Sequence, residues 1–302
     1  MKILMILNKK INYLKNVLHN YKVNVLTKDY AYWYFLKYLY INFLLYFFNK
    51  EVEFTFLDNI KVKAKKGDGI VGNFHSILQE PNESLFLLHY LSSEDHFLDV
   101  GANVGHYSLI AASKTGANVI AIEPVPQTFK RLQQNIKLNN LQDKVILHNI
   151  GLSDSDGVLF FTEGLNTTNR VSSSQSGIEV GVKSLDNLFC NNELNLIKID
   201  VEGYEWFVLK GGIKTLNKKE TNVIIIELND SSENFNIDES KVIDMLTNAG
   251  FNAYRYDIFE RELIPLKDKN HKQFNTIFIK DIDLARERIN RGVKVKLSQY
   301  SI

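Results

Sequence analysis

The sequence predicts an α/β protein: a mostly parallel, doubly wound sheet with an antiparallel edge, preceded by an N-terminal helical and β-hairpin extension. Three observations carry this expectation. From Phe97 onward the short runs "FLDV", "NVIAIE", "KVILHNI", "NLIKIDV" and "NVIIIEL" are apolar throughout, as strands buried on both faces must be. Helical stretches such as "PQTFKRLQQNIKLNN" and "EWFVLKGGIKTLNKK" separate most of them, the alternation of a parallel sheet and its crossovers. Later, "FNAYRYD", "RELIPL" and "FNTIFIK" follow one another with short connections, so antiparallel pairing is expected at one edge.

Ahead of these elements lies an accessory segment, residues 1–92. The opening "MKILMILNKK" is cut short by Asn8, Lys9 and Lys10, and it lacks the h-region and small-residue cleavage site of a secretory leader. Next, "AYWYFLKYLYINFLLYFF" from Ala31 to Phe48 is interrupted by Lys37 and Asn42 and falls short of a spanning helix. It reads first as a helix packed on the rest of the protein, apolar nearly all round. Its second reading is a peripheral membrane contact with rings at the interface. The stretch "EVEFTFLDNIKVKAKKGD" alternates on both sides of Asp58-Asn59, as a hairpin does, and "PNESLFLLHYL" reads as a helix with Pro81 in its first turn. The α/β domain is expected over residues 93–281, followed by a mixed-charge helix and tail over residues 282–302.

Composition narrows the function. With 45% hydrophobic and 24% charged residues, the chain has the make-up of a globular protein with a sizeable core. A net charge of +1 gives no reason to expect nucleic acid as a partner. The single cysteine, Cys190, leaves no internal disulfide and fits a reducing, cytoplasmic setting.

The chemistry begins at "FLDVGANVGHYSL". Asp99 ends the first strand of the sheet, and Gly101 and Gly105 bracket a turn into a helix. Such a turn brings backbone close to a ligand and offers helix N-terminal N–H groups. Asn103 and His106 occupy the second and third glycine positions of a dinucleotide fingerprint, so that fingerprint fails. The loop suits a ligand with a ribose and an amino-acid tail, whose ammonium Asp99 can bind through the turn or a water. About 20 residues on, Glu123 ends the second strand, the position of an acid that hydrogen-bonds ribose hydroxyls. In "IKIDVEGYEWFVLKGG", Asp200 and Glu202 end the fourth parallel strand, where two carboxylates can hold a cationic centre, orient a hydroxyl or bind a metal. Glu205 reads as a helix N-terminal acid. Asn229 and Asp230 of "ELND" are either Mg²⁺ ligands beside Asp200 or a polar loop and helix cap; no metal ligand is assigned, and magnesium stays open.

Together, "DVGANVG", "AIEPVPQTF", "GLSDSDG", "VKSLDNLF", "IKIDVEGYEWFVLKGG" and "IIIEL" resemble the FkbM-type family of S-adenosylmethionine-dependent methyltransferases, from roughly Glu80 to Lys280. The resemblance implies a class I Rossmann-like fold and methylation of a hydroxyl on a sugar, glycan or polyketide. It implies that Asp99, Gly101, Asn103 and Gly105 shape the methionine pocket and that Glu123 holds the ribose. Asp154 of "LSD" would lie near the adenine, Asp200 near the sulfonium, and Glu80 where the family has a glutamate ahead of the loop. Because an alcohol is a poor acid, a base is needed; the candidates are Asp200, Glu202 and His75 of "GNFHSILQEP". The expectation is an O-methyltransferase acting on a small-molecule or glycan acceptor, cytoplasmic or at the inner membrane face, with the extension forming an acceptor wall or a dimer contact. Its rivals are an NAD-dependent oxidoreductase and a non-catalytic membrane-docking protein.

Overall fold

The computed structural model describes residues 2–24, 26–47, 51–162, 170–172, 177–298 and 300–302. The serines at 173–176 and Phe48, singled out in the sequence, lie outside them. In chain order the elements are α1 (Lys2–Val23), α2 (Ala31–Phe47), β1 (Val52–Phe56), β2 (Ile60–Ala64), α3 (Gly72–His75), α4 (Pro81–Tyr90), β3 (His96–Val100), α5 (His106–Ile110), β4 (Asn118–Ile122), α6 (Pro126–Leu138) and β5 (Val145–His148). There follow β6 (Gly151–Ser153), β7 (Gly157–Phe161), β8 (Ile178–Ser184), α7 (Leu185–Phe189), β9 (Leu196–Ile199), α8 (Glu205–Lys210), α9 (Ile213–Leu216) and β10 (Val223–Glu227). The last are α10 (Glu239–Asn248), β11 (Asn252–Asp257), β12 (Glu262–Pro265), β13 (Asn275–Ile279), α11 (Ile282–Arg291), β14 (Lys296–Leu297) and β15 (Tyr300–Ser301).

The chain forms two compact units, Met1–Gln79 with Lys296–Ser301, and Glu80–Val295 with Ile302. In the first, β1 and β2 pair antiparallel from Val52 opposite Ala64 to Phe56 opposite Ile60, the hairpin its alternation predicts. Helix α2 forms as expected, but packing covers only one side of it. Ala31, Tyr34, Ile41 and Leu45 are buried, whereas Trp33, Leu36, Tyr40, Phe43 and Phe47 are exposed. An apolar helix is fully covered only when neighbours surround it, and among the described residues the second face stays largely exposed.

The second unit is built on an eight-stranded sheet in the order β12-β11-β13-β10-β9-β3-β4-β5. Strands β10, β9, β3, β4 and β5 are parallel, and β13, β11 and β12 add the antiparallel edge. This is the mostly parallel, doubly wound α/β sheet with an antiparallel edge that the sequence predicts. Strands β3, β4, β9 and β10 are buried on both faces, with Leu98, Ile197, Ile224 and Phe278 in one core, while Ile146 of the edge strand β5 is exposed. Helix α4 belongs to this unit rather than to the accessory segment, because Leu85, Phe86, Leu87 and Leu88 are all fully buried. The expected single helix "EWFVLKGGIKTLNKK" breaks into α8 and α9 at Gly211 and Gly212. A Cβ on Gly211 would come within 2.1 Å of the Ser153 carbonyl oxygen, so glycine lets β6 approach. The stretch after Asp281 is not one exposed tail: α11 is capped by the Asp281 side chain, buries Ala285 and Ile289, and places Arg288 2.7 Å from Asp95. Strands β14 and β15 close as a hairpin within the first unit.

A separate three-stranded sheet, β6-β8-β7, lies outside the sequence expectation. Its inward residues Phe161, Val180 and Val182 pack with Val125, Val171 and Tyr204 in a small core of their own.

Candidate active site

Strand order reverses at β3, which pairs with β4 on one side and β9 on the other. In open α/β sheets ligands bind beyond the carboxyl ends at such a reversal. A cleft opens there. Gly101, Asn103, Glu123, Asp200 and Glu202 line its polar side; Ile122, Leu152, Phe161, Val171 and Tyr204 line its apolar side.

The loop after β3 explains its own residue types. Gly101 has φ +80°, and a Cβ there would fall 1.8 Å from the Asp200 carbonyl oxygen, so the two central strand ends meet only across a glycine. Gly105 starts α5 at φ +101° and does not line the cleft. Asn103 is a non-glycine residue in the left-handed region at φ +55°, and so is Glu202, also at φ +55°. Backbone held this way collects at functional sites, and both residues face the same cleft.

Glu123 is the best-held acid of the loop. Its two carboxylate oxygens accept from the Asn103 N–H at 3.0 Å and the Val125 N–H at 2.9 Å. It is 6% exposed, and burial pushes its pKa up to about 7 despite those two bonds. Asp99 lies beneath the loop: it is 1% exposed and accepts from Ser108 Oγ at 2.6 Å. Burial raises it to about 6, with Lys198 pulling it back.

Asp200 lines the cleft, and sequence reasoning missed what surrounds it. Lys198 sits mid-strand in β9 with its side chain 2% exposed, and its Nζ is 2.7 Å from Asp200 Oδ2 and 4.8 Å from the centre of the Tyr107 ring. Burial works against the Lys198 charge, but Asp200, Glu80 and Asp99 outweigh it and raise its pKa. Burial raises Asp200 too, and Lys198 more than reverses that, so Asp200 stays ionised. The Tyr107 hydroxyl donates to Glu80 at 2.6 Å, which gives the glutamate ahead of the loop a place beneath the site. Glu83, one turn along α4, is buried and pushed up to about 8 by burial and by Glu80.

Of "ELND", the residue that meets Asp200 is Glu227. Its carboxylate, with those of Asp200 and Glu202, forms a group whose oxygens lie within 4.8 Å of one another. Burial, then the Asp200 carboxylate to which it hydrogen-bonds, pushes Glu227 up to about 9; Glu202 is also raised, by burial and by Asp200. At neutral pH Glu227 is therefore the protonated partner of Asp200. Asn229 and Asp230 turn elsewhere: Asn229 Oδ1 accepts from the Ser231 N–H at 3.0 Å, and Asp230 pairs with Lys269 at 2.7 Å. Strand pairing carries Glu227 toward β9, and the chain then turns away.

Three other sequence candidates have their own partners. Asp154 pairs with Lys210 at 2.8 Å and is held below the usual carboxylate range chiefly by that lysine; from its segment it is Gly151 and Leu152 that line the cleft. Glu205 accepts from the Val201 and Gly203 N–H groups at 3.2 and 3.1 Å, so it closes the turn after β9 as well as starting α8. His75 belongs to the first unit, where its Nδ1 and the Tyr21 hydroxyl lie 2.6 Å apart. Burial, then Lys37, lowers its pKa to about 4, so it is neutral at physiological pH.

Comparison with known proteins agrees with the motifs. The chain is 36% identical over 148 residues to the hexuronic acid methyltransferase AglP of Haloferax volcanii, covering 47% of this chain and 59% of that protein's length. It is 30% identical over 174 residues to Methyltransferase 1 of Beauveria bassiana, covering 47% of this chain and 68% of the relative. The solved FkbM methyltransferase of Methylobacillus flagellatus superposes with a TM-score of 0.44 at 15% identity, over 63% of this chain and 44% of that one. Residues 99–253 match the family model described as the methyltransferase FkbM domain, and the chain belongs to that family.

Proposed function

We propose that this protein transfers a methyl group from S-adenosylmethionine to a hydroxyl of a sugar, glycan or related metabolite. The observation that carries the reading is Glu123: a buried carboxylate at the end of β4, fixed by two backbone N–H groups and facing the cleft. The residues present fit the methyl donor. Glu123 is an acceptor for the ribose diol, and the close-approach backbone at Gly101 and Asn103 suits the methionine end. The apolar wall of Ile122, Leu152, Phe161 and Tyr204 suits a purine. A carboxylate at the Glu123 position also disfavours a ligand with a 2′-phosphate. The relative that acts on hexuronic acids supports a sugar acceptor.

When bound, the donor supplies an electrophilic methyl on a sulfonium. What remains for the chain is alignment and proton handling. Asp200, kept ionised by Lys198, presents an anion at the end of the cleft where Gly101 meets β9. Together with Glu202 it orients the acceptor hydroxyl and receives its proton, while protonated Glu227 hydrogen-bonds to Asp200.

Isothermal titration with S-adenosylhomocysteine tests the reading. Wild type should bind, and Glu123→Ala should weaken binding about 10- to 100-fold, the loss of a charged hydrogen-bonding partner. Glu123→Gln should also bind poorly, because its amide NH₂ must face a backbone N–H of Asn103 or Val125. Unchanged affinity in both variants removes Glu123 from the ribose role, and absence of binding by wild type overturns the proposal.

A further inference from the structure

We infer that the exposed face of α2 docks this protein on an anionic lipid bilayer. Trp33, Leu36, Tyr40, Phe43 and Phe47 recur at intervals of three and four along the helix and are all exposed. The opposite face, with Ala31, Tyr34, Ile41 and Leu45, is buried. From Trp33 to Phe47 the exposed stripe spans about 20 Å, so it can lie flat in an interface with its rings at headgroup depth.

Charge identifies the occupant. Residues 1–50 contain Asp29 as their single acid, whereas Lys9, Lys10, Lys15, Lys22 and Lys28 are exposed. Cations also sit against rings of α2: Lys22 Nζ lies 4.8 Å from the centre of Tyr32, and Lys66 Nζ lies 4.7 Å from that of Tyr46. Aromatic and aliphatic side chains beside lysines, without acids, match a surface of acyl chains under negative headgroups. Leucines in the stripe favour acyl chains over stacked bases, because leucine offers no π-face. No described helix is long and apolar enough to cross a membrane, so the contact is one that lies on the bilayer.

The test is co-sedimentation of the full chain with phosphatidylcholine vesicles, with and without about 30% phosphatidylserine. Binding should require the anionic lipid and weaken as salt is raised. Phe43→Glu should lower partitioning at least about tenfold, since it removes an inserted ring and adds a repelled charge. Its circular dichroism and its affinity for S-adenosylhomocysteine should be unchanged. In a Trp206→Phe background, the emission of Trp33 should shift to the blue on anionic vesicles. The proposal is overturned if wild type ignores anionic vesicles or if Phe43→Glu binds them equally. It is likewise overturned if Phe43→Glu only converts a dimer to a monomer in light scattering, or if RNA rather than lipid is what the stripe retains.

Discussion

At the scale of single residues, the most consequential side chain is one that no motif marks as chemical. Lys198 is buried between Asp200 and the Tyr107 ring, and the ionisation of Asp200 depends on it. Asp200 keeps 30% of its side chain exposed, so removing its lysine costs less than the ~3–5 kcal/mol of a fully buried pair. Lys198→Met is still expected to lower the urea midpoint. It should also add a new titration to the pH dependence of S-adenosylhomocysteine binding, as Asp200 gains a proton in a range where wild type does not. A midpoint drop with an unchanged pH profile would make Lys198 structural alone. In the sequence, Lys198 is an interior polar residue of "NLIKIDV", indistinguishable from one on a solvated edge. Its burial follows from β3 and β10 lying on either side of β9. Glu123 was legible because strand-end register alone places it; Asp154 lies in the family motif, but Lys210 comes from a distant element to hold its carboxylate.

At the scale of elements, the turn joining β9 to α8 decides the shape of the cleft's acidic end. Glu205 ties the Val201 and Gly203 N–H groups together and is only 3% exposed. Its local reading as a helix-start acid is correct, and its larger task becomes visible once the turn is folded. Glu205→Ala leaves two donors without their acceptor, a loss of about 2–6 kcal/mol at 1–3 kcal/mol for each buried group. Chemical denaturation should show that loss, and Glu205→Gln should recover most of it, because both N–H groups bond the one oxygen, Oε1, that the amide retains. Affinity for S-adenosylhomocysteine should fall with it, since Val201 and Glu202 line the cleft; a destabilised variant with full affinity would separate the turn from the site. The β6-β8-β7 sheet was harder to foresee. Residues of β8 alternate between exposed and buried, but two of its three strands are interrupted by glycine, serine and charge, and apolar strands elsewhere dominate the pattern.

At the scale of the whole molecule, several acids are buried with raised pKa values: Asp99 to about 6, Glu123 and Glu205 to about 7, Glu83 to about 8 and Glu227 to about 9. Between the unfolded value of a glutamate, 4.5, and the folded value of about 8 for Glu83, the native state binds the proton and the unfolded state does not. Stability from this group is thus full below the unfolded pKa and is lost as pH rises through the folded one. The melting temperature should fall from about pH 5 to about pH 9, and Glu83→Gln should flatten that fall and be relatively more stable at the alkaline end. A melting temperature that rises over this interval would contradict the burial of these acids. The sequence by itself determined the alternating strands and helices of the main sheet, the glycine loop, the strand-end position of Glu123 and the antiparallel edge, because periodicity, turn chemistry and strand-end position are local properties. Only the tertiary structure decided which acids share a proton, which lysine holds Asp200 ionised, that Asp230 leaves the site, and that α2 keeps one apolar face exposed. Those outcomes depend on burial and strand register, which bring together residues far apart in the chain and set the solvation on which each charge depends.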